Sequence, residues 1–356
     1  MRIFLITFLA IILSTNSFAV VNEVKKMIYK SEKYNLGLKK KDTTVNGLKL
    51  KPLMNQEAFE NALKKNYGWL DYGFNIVYAK DGEPVRWGDT SQRFELHIDD
   101  CGFIYKNGTY RDCIRTPPKH RFEVGQGMNN DVSLGFKSGE EFWYSFSYYL
   151  PKDFKMTRNS FTIFQFHSDQ GPYSPIFNIR VTSRLGLTVD ISTSQGAFND
   201  ETNACGGSVK FKVNVCEEII LKYILVNNDP KKIEELFAGK WVDFIIHAVW
   251  DNSPSDHDNN KGLFEVFMNG EKKVHYEGQS AWDIGRAVLQ YGIYEKKVAY
   301  LGYSLNDLKT IPTIAYYDEV WAKKKCSQLK LKRLGYSCEL LYAQSNEITE
   351  PSISER

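Results

Sequence analysis

The chain has 356 residues and carries 46 Lys and Arg against 43 Asp and Glu, a formal net charge of +3. That near balance excludes a polycation, and no basic stripe or known motif supports nucleic-acid binding. Aromatic residues make up 14% of the chain, a share that suits strands and sugar-binding surfaces.

Met1-Arg2 starts the chain with a positive charge, Ile3 to Leu13 is almost wholly apolar, and Asn16-Ser17-Phe18-Ala19 supplies polar and small residues. This pattern predicts a signal peptide over 1–19, cut after Ala19, because the apolar run is too short for a comfortable membrane span. The mature protein is therefore expected in the periplasm or outside the cell, free of the membrane. Residues 20–71 are Lys-rich and irregular. Val21 to Tyr34 and Gln56 to Lys65 have spacings that fit short helices, in an extension packed on a main domain.

From Tyr72 to about residue 325 the pattern is one of strands. Phe74 to Tyr78, Arg93 to Ile98, Phe142 to Leu150 and Phe161 to His167 come first. Ile176 to Val181, Leu185 to Ile191, Trp241 to Trp250, Leu263 to Met268, Lys273 to Tyr276, Val288 to Tyr294 and Ile314 to Trp321 follow. Asn269-Gly270 between two of these runs signals a hairpin. Pro230 to Phe237 fits a short helix on a loop. A dozen antiparallel strands without alternating helices predict an all-β, two-sheet jelly-roll sandwich of concanavalin-like type with short peripheral helices, in one domain over 72–325. The tail 326–356 is polar past Cys338 and is expected to fray.

Six cysteines fall in three close pairs: Cys101 with Cys113, Cys205 with Cys216, and Cys326 with Cys338. An even count in an exported chain predicts disulfides, and the local pairing is expected because each bridge closes one short loop. A zinc site is the alternative, but no CxxC occurs and no His stands at ligand spacing.

Three clusters can carry chemistry. In Phe164-Gln165-Phe166-His167, strand alternation turns both phenylalanines to a core and projects Gln165 and His167 together from the other face. An imidazole can take a proton and a carboxamide can hold a carboxylate, although an ordinary solvated strand fits the same alternation. In Tyr291-Gly292-Ile293-Tyr294, Gly292 is expected to leave open space beside the Tyr294 phenol; a bulge with a core Tyr is the alternative. In Arg121-Phe122-Glu123 the guanidinium is either half of an ion pair or a fork for a sugar carboxylate. Arg93-Phe94-Glu95 has the same form, and alternation does not separate the two.

Other enzyme classes leave marks that are missing here: there is no G-x-S-x-G and no H-E-x-x-H. Asp99-Asp100 and Asp318-Glu319 are adjacent, so each pair is expected to point to opposite faces, a poor arrangement for paired acid and base. Trp241, Asp243, His247 and Trp250 are read as structural. A non-catalytic glycan-binding module would show the same sandwich and the same aromatics.

Taken in order, Arg121-Phe122-Glu123, Glu141 to Pro151, Gln165-Phe166-His167, Gly239 to Phe244, Phe267 to Gly270, Tyr291 to Tyr294 and Tyr316 to Val320 resemble the heparin-lyase-like polysaccharide lyases. This group includes heparin lyase I and the glucuronan lyases. The resemblance implies a β-jelly roll and cleavage of a uronic-acid polysaccharide by β-elimination. It carries the family's Gln-x-His onto Gln165 and His167, its Gly-x-Tyr onto Gly292 and Tyr294, and its arginine onto Arg121. Heparin lyases carry Lys four residues before the Tyr, where this chain has Gln290, so an unsulfated, glucuronan-like polyuronate fits better than heparin. Tyr294, His167 and Gln165 are thus the candidate catalytic residues, and Arg121, Arg93 and Gln290 the candidate substrate contacts. A monomer that needs no cofactor is expected. A structural calcium, held by some relatives, has Asp318 as its candidate ligand.

Overall fold

The computed structural model describes residues 43–45, 48–52, 72–97, 119–125, 136–157, 160–168, 175–195, 217–253, 260–281, 287–296, 311–344 and 352–355. The expected signal peptide, both expected N-terminal helices, Asp99-Asp100 and the four cysteines 101, 113, 205 and 216 lie outside these residues.

Sixteen strands are described: β1 Thr43–Val45, β2 Leu48–Pro52, β3 Phe74–Tyr78, β4 Thr90–Leu96, β5 Lys119–Gly125, β6 Glu141–Tyr149, β7 Ser160–Ser168 and β8 Phe177–Thr182. They continue with β9 Gly186–Gln195, β10 Glu217–Val226, β11 Trp241–Val249, β12 Leu263–Met268, β13 Glu271–Glu277, β14 Ala287–Lys296, β15 Thr313–Lys323 and β16 Ser352–Glu355. One sheet has the order β1-β2-β5-β14-β7-β8-β9-β10-β16 and the other β13-β12-β11-β6-β15-β4-β3. All pairings within them are antiparallel. The two sheets pack face to face as a β-jelly-roll sandwich. Helix α1, Pro230–Phe237, starts at Asp229, whose side chain accepts from the Lys231 N–H, and Pro230 fits the first turn, where no N–H is needed. No helix among the described residues is long and apolar enough to cross a membrane.

The core follows from alternation. Phe122 and Val124 of β5, Phe164 and Phe166 of β7, and Ile179 and Val181 of β8 face Phe94 of β4, Phe146 of β6, Phe244 of β11 and Tyr317 of β15. Phe146 stacks on Phe164 across the two sheets with ring centroids 4.8 Å apart. Two polar struts also cross the core. The Tyr291 hydroxyl donates to Gln92 Oε1 at 2.6 Å. The Tyr317 hydroxyl lies 2.7 Å from both the Ile163 and Gly292 carbonyl oxygens. Those carbonyls sit where the β14–β7 register shifts between Tyr291 and Tyr294, a bulge that takes them out of the regular ladder.

A second, smaller core lies on the outer face of the seven-stranded sheet. Trp143, Ile245 and Phe267 are covered there by Cys326, Leu329, Leu331 and Leu341 of the tail. Cys326 and Cys338 are disulfide-bonded, and a short helix α2, Cys338–Tyr342, follows. Asp243 locks this layer: it takes both Arg86 Nε and Nη2, at 3.2 and 2.9 Å, and the hydroxyls of Ser147 and Tyr336.

Three expectations change. The segment past Cys338 does not simply fray, since β16 pairs with β10 and covers the row of N–H and C=O groups that edge would otherwise present. The extension contributes strands as well: β2 joins β5 through Lys51 opposite Gly125 and Pro52 opposite Val124. Asp318 and Glu319 do not point to opposite faces, because β15 bulges there and Glu319 takes φ 53°. Glu319 accepts from Arg333 Nε of the covering tail at 2.7 Å, while Asp318 accepts from the Arg86 and Trp87 N–H groups on the same outer side.

Candidate active site

Strands β5, β14 and β7 are neighbours inside the nine-stranded sheet. Because Phe122, Val124, Phe164 and Phe166 take the core side, Arg121 and Glu123 of β5 and Gln165 and His167 of β7 stand on the outer face. On β14, Tyr291 and Ile293 take the core side, which leaves Gln290 and Tyr294 outward. Register then aligns them. Gln290 is opposite Gln165 on one side and Gly125 on the other, Tyr294 is opposite Arg121 and Thr162, and His167 is opposite Val288.

The centre is tightly built. Gln165 Nε2 donates to Glu123 Oε1 at 2.8 Å and to Gln290 Oε1 at 2.9 Å, so both carboxamide protons are in use and the side chain is held in one pose. Arg121 Nη1 lies 3.5 Å from Glu123 Oε2, and its guanidinium carbon sits 4.7 Å from the Tyr294 ring centroid. The cation rests on the aromatic face. Tyr294 is 7% exposed yet stands apart from the hydrophobic core cluster. His167 is half-buried. It is two residues beyond Gln165, on the side away from Tyr294. Across the β7 bulge Thr162 and Phe166 are three residues apart on β8, Arg180 to Phe177, so His167 lies about 13 Å from the Tyr294 row at the usual rise. Phenol and imidazole thus flank the Gln165–Gln290 row from opposite ends, with room for a sugar ring between them.

Gly292 does not leave open space. Its φ is +138°, and a Cβ there would lie 2.3 Å from the Phe122 carbonyl oxygen, 2.9 Å from Glu123 Cα and 3.0 Å from Phe94 Cε1. Glycine is needed so that β14 can bulge while β5 stays close, and this sets Tyr294 beside Arg121.

Arg93 does not join the group. It belongs to β4, in the seven-stranded sheet, so its outward face is on the far side of the sandwich. There it pairs with Glu95, Nη2 to Oε2 at 2.6 Å. Asp318 is also on that sheet. Its Oδ2 accepts from the backbone of Arg86 and Trp87, and its Oδ1 from that of Glu319, at 2.8, 3.1 and 2.7 Å. Burial raises its carboxyl to about 6 against the pull of these donors. Oxygens already facing N–H groups are poorly placed for a cation. Among the described residues, no group of three or more His, Cys, Asp and Glu could hold a metal ion.

Alternation alone did not single out a second cluster on the same outer face. Arg180 of β8 stands in the Tyr294–Thr162 row, and Asp190 of β9 and Lys222 of β10 extend the Gln165 row through Asn178. Arg180 Nη2 is 2.6 Å and Lys222 Nζ 3.4 Å from Asp190 Oδ2. The alternation of Phe177 to Val181 already turns Arg180 away from a core; the sheet it belongs to becomes visible only in three dimensions.

Among solved structures, the chain is similar to an endo-β-1,4-glucuronan lyase from the fungus Trichoderma reesei: 15% identity, 72% of this chain and 89% of that one, TM-score 0.47. It is also similar to the alginate lyase PA1167 from Pseudomonas aeruginosa, with 15% identity over 66% of this chain and 83% of that one, TM-score 0.36. No curated protein matches the sequence. A family model described as polysaccharide lyase matches residues 67–321, a span that includes strands β3 to β14 and Arg121, Gln165, His167 and Tyr294, and the chain belongs to that family.

Proposed function

We propose that this lyase cleaves a uronic-acid-containing polysaccharide by β-elimination, with an unsulfated, glucuronan-like polyuronate preferred to heparin. The observation that carries the reading is the gathering of Arg121, Tyr294, Gln165 and His167 on one face of three adjacent strands.

Elimination needs a neutralised carboxylate, a base for the proton on the carbon beside it, and an acid for the departing oxygen. Arg121 supplies the fixed positive charge. Gln165 joins it by exchange: an incoming carboxylate competes with the neutral Gln290 oxygen for one Gln165 N–H, and a charged acceptor makes the stronger bond. In a 1,4-linked glucuronate the C5 proton and the C4 oxygen lie on one side of the ring, so Tyr294 serves both: as phenolate beside the Arg121 cation it removes the C5 proton, the electron pair forms the C4–C5 double bond, the C4–O bond breaks, and the Tyr294 phenol passes the proton to the leaving glycosidic oxygen. Arg121 lies against the ring on which negative charge develops in that transfer. His167, at the other end of the Gln165–Gln290 row, donates to the charge that develops on the uronate, and is the base only for a sugar whose C5 proton and C4 oxygen lie on opposite sides. Gln290 in place of a lysine leaves this point without the fixed cation that a sulfated sugar would call for. Export and action as a monomer complete the reading, and the Cys326–Cys338 bridge supports an oxidising compartment.

The test is a panel of polyglucuronate, alginate and heparin, followed through the ultraviolet absorbance of the new double bond. Absorbance should rise fastest on polyglucuronate. A folded protein that produces none on any polyuronate rules the reading out.

A further inference from the structure

The even total charge of the chain masks a local excess on the outer side of the seven-stranded sheet. From Lys323 to Arg333 there are five lysines and one arginine, and no acidic residue. The fold gathers these cations instead of letting them disperse. Cys326, Leu329 and Leu331, which alternate with them, are buried in the small outer core, and the Cys326–Cys338 bridge ties the segment down. Lys324, Lys325, Lys330 and Lys332 are exposed, and of the four only Lys324 forms an ion pair among the described residues, with Glu140 at 3.4 Å. Like charges held together repel one another, a cost that a bound polyanion relieves.

A fixed aromatic stands beside this run. Trp87 is 50% exposed, yet its backbone is pinned: Asp318 Oδ2 accepts from the Arg86 and Trp87 N–H groups at 2.8 and 3.1 Å, and Asp243 holds the Arg86 guanidinium. Arg333 joins Trp87 to the basic run. Its guanidinium carbon lies 6.0 Å from the Trp87 ring centroid and 5.6 Å from that of Trp321, and Lys323 Nζ lies 5.0 Å from the Trp321 ring. Rings and cations thus alternate across the surface. A pyranose can stack its flat C–H face on the indole while its carboxylate meets a neighbouring ammonium. A pinned, half-exposed indole is more than charge attraction calls for. It favours a sugar polymer over double-stranded nucleic acid, which turns phosphates outward.

We infer that Trp87 and the basic segment 323–333 form a second, non-catalytic binding site for the acidic polysaccharide, on the sheet opposite the candidate active face. The choice of a polyuronate rests on the proposed function. A long chain held there stays at high local concentration near the cleaving face, while a short oligosaccharide gains nothing from it.

The experiment is affinity electrophoresis through gels that embed polyglucuronate, in a Tyr294→Phe background so that the polymer is not cut. Lys325→Gln/Lys330→Gln/Lys332→Gln should raise the Kd about tenfold, the scale of three exposed charge pairs lost together, and Trp87→Ala about fivefold, that of one aromatic contact. Thermal melting checks each fold, and the lysine variant, whose three side chains are exposed, carries the test if Trp87→Ala melts early. With Tyr294 restored, both variants should cleave a glucuronate trisaccharide with kcat/KM within about twofold of the wild type, since the trisaccharide cannot bridge the two faces. Unchanged retardation of either folded variant overturns the site. So does a loss of binding to double-stranded DNA as large as the loss on polyglucuronate, or a loss on the trisaccharide as large as that on the polymer. None of these results touches the lyase reading, which fails separately if the wild-type protein cleaves no polyuronate; the retardation then still decides the site.

Discussion

Replacing Gly292 with Ala tests whether the bulge in β14 sets the site. Two costs combine. The first is the backbone, since φ +138° is strained for any L side chain, worth about 1–3 kcal/mol. The second is contact: the new Cβ would sit 2.3 Å from the Phe122 carbonyl oxygen, where ordinary contact begins at 3.4 Å. Relief requires β5 to move by about 1 Å, with an overpacking cost of about 1–3 kcal/mol. Together they total about 4 kcal/mol, which for a domain of this size lowers Tm by about 10 °C. Because β5 carries Arg121 and Glu123, the same shift should cut kcat/KM about a hundredfold, the usual penalty for misplacing a catalytic contact by 1 Å. Gly88→Ala is the control, with φ +80° and nothing within 4 Å of its Cβ, so it bears strain without a clash. Melting curves and the ultraviolet assay read both variants side by side. If Gly292→Ala melts and cleaves like Gly88→Ala, the reasoning from the bulge is refuted.

On polyglucuronate, Tyr294→Phe should lower kcat by about two orders of magnitude with the fold intact, the scale of a lost general acid or base, and His167→Ala by a similar factor, the scale of a lost donor to the developing charge; full rate in either variant removes that residue's role. Glu265 is an acid-stability element. Burial alone would raise its carboxyl, but hydrogen bonds with His247, Lys272 and His275 outweigh this and hold it at about 2. A depressed carboxyl stabilises the fold above its unfolded value near 4.5 and loses that contribution as pH falls from 4.5 toward 2, on the order of 2–3 kcal/mol. Denaturant titrations of Glu265→Gln should therefore show a flatter loss of stability across that window than the wild type; parallel curves would refute the assignment. Removing the disulfide with Cys326→Ser/Cys338→Ser opens a loop of sequence separation 12 and should cost about 3 kcal/mol in chemical denaturation. An unchanged midpoint would show that the small core around Trp143 holds the tail unaided.

Much of the fold was legible because strands advertise themselves by alternation. Phe142 to Leu150 was read where β6 runs Glu141–Tyr149, and the Asn269-Gly270 turn joins β12 to β13 with Asn269 at φ 52°. Strand β10 carries apolar residues on both faces, Ile220 and Ile224 as well as Leu221 and Tyr223, so it shows no period-two signal. The site was half legible. Alternation separates core from surface, and so it placed Gln165 and His167 together. It does not reveal which sheet a strand joins, and Arg93-Phe94-Glu95 and Arg121-Phe122-Glu123 are alike until pairing puts them on opposite sides of the sandwich. The purpose of Gly292 was misread for a related reason: its neighbour Phe122 is remote in sequence, so the crowding there is invisible along the chain.

The Tyr317 hydroxyl, which meets the Ile163 and Gly292 carbonyls from across the interior, gives the seven-stranded sheet a say in the shape of the candidate site. The bend that presents Tyr294 is propped from beneath by a residue more than twenty positions away on the other layer. Grafting β5, β14 and β7 onto a foreign scaffold would therefore transplant the groups without their geometry, unless this support travels with them.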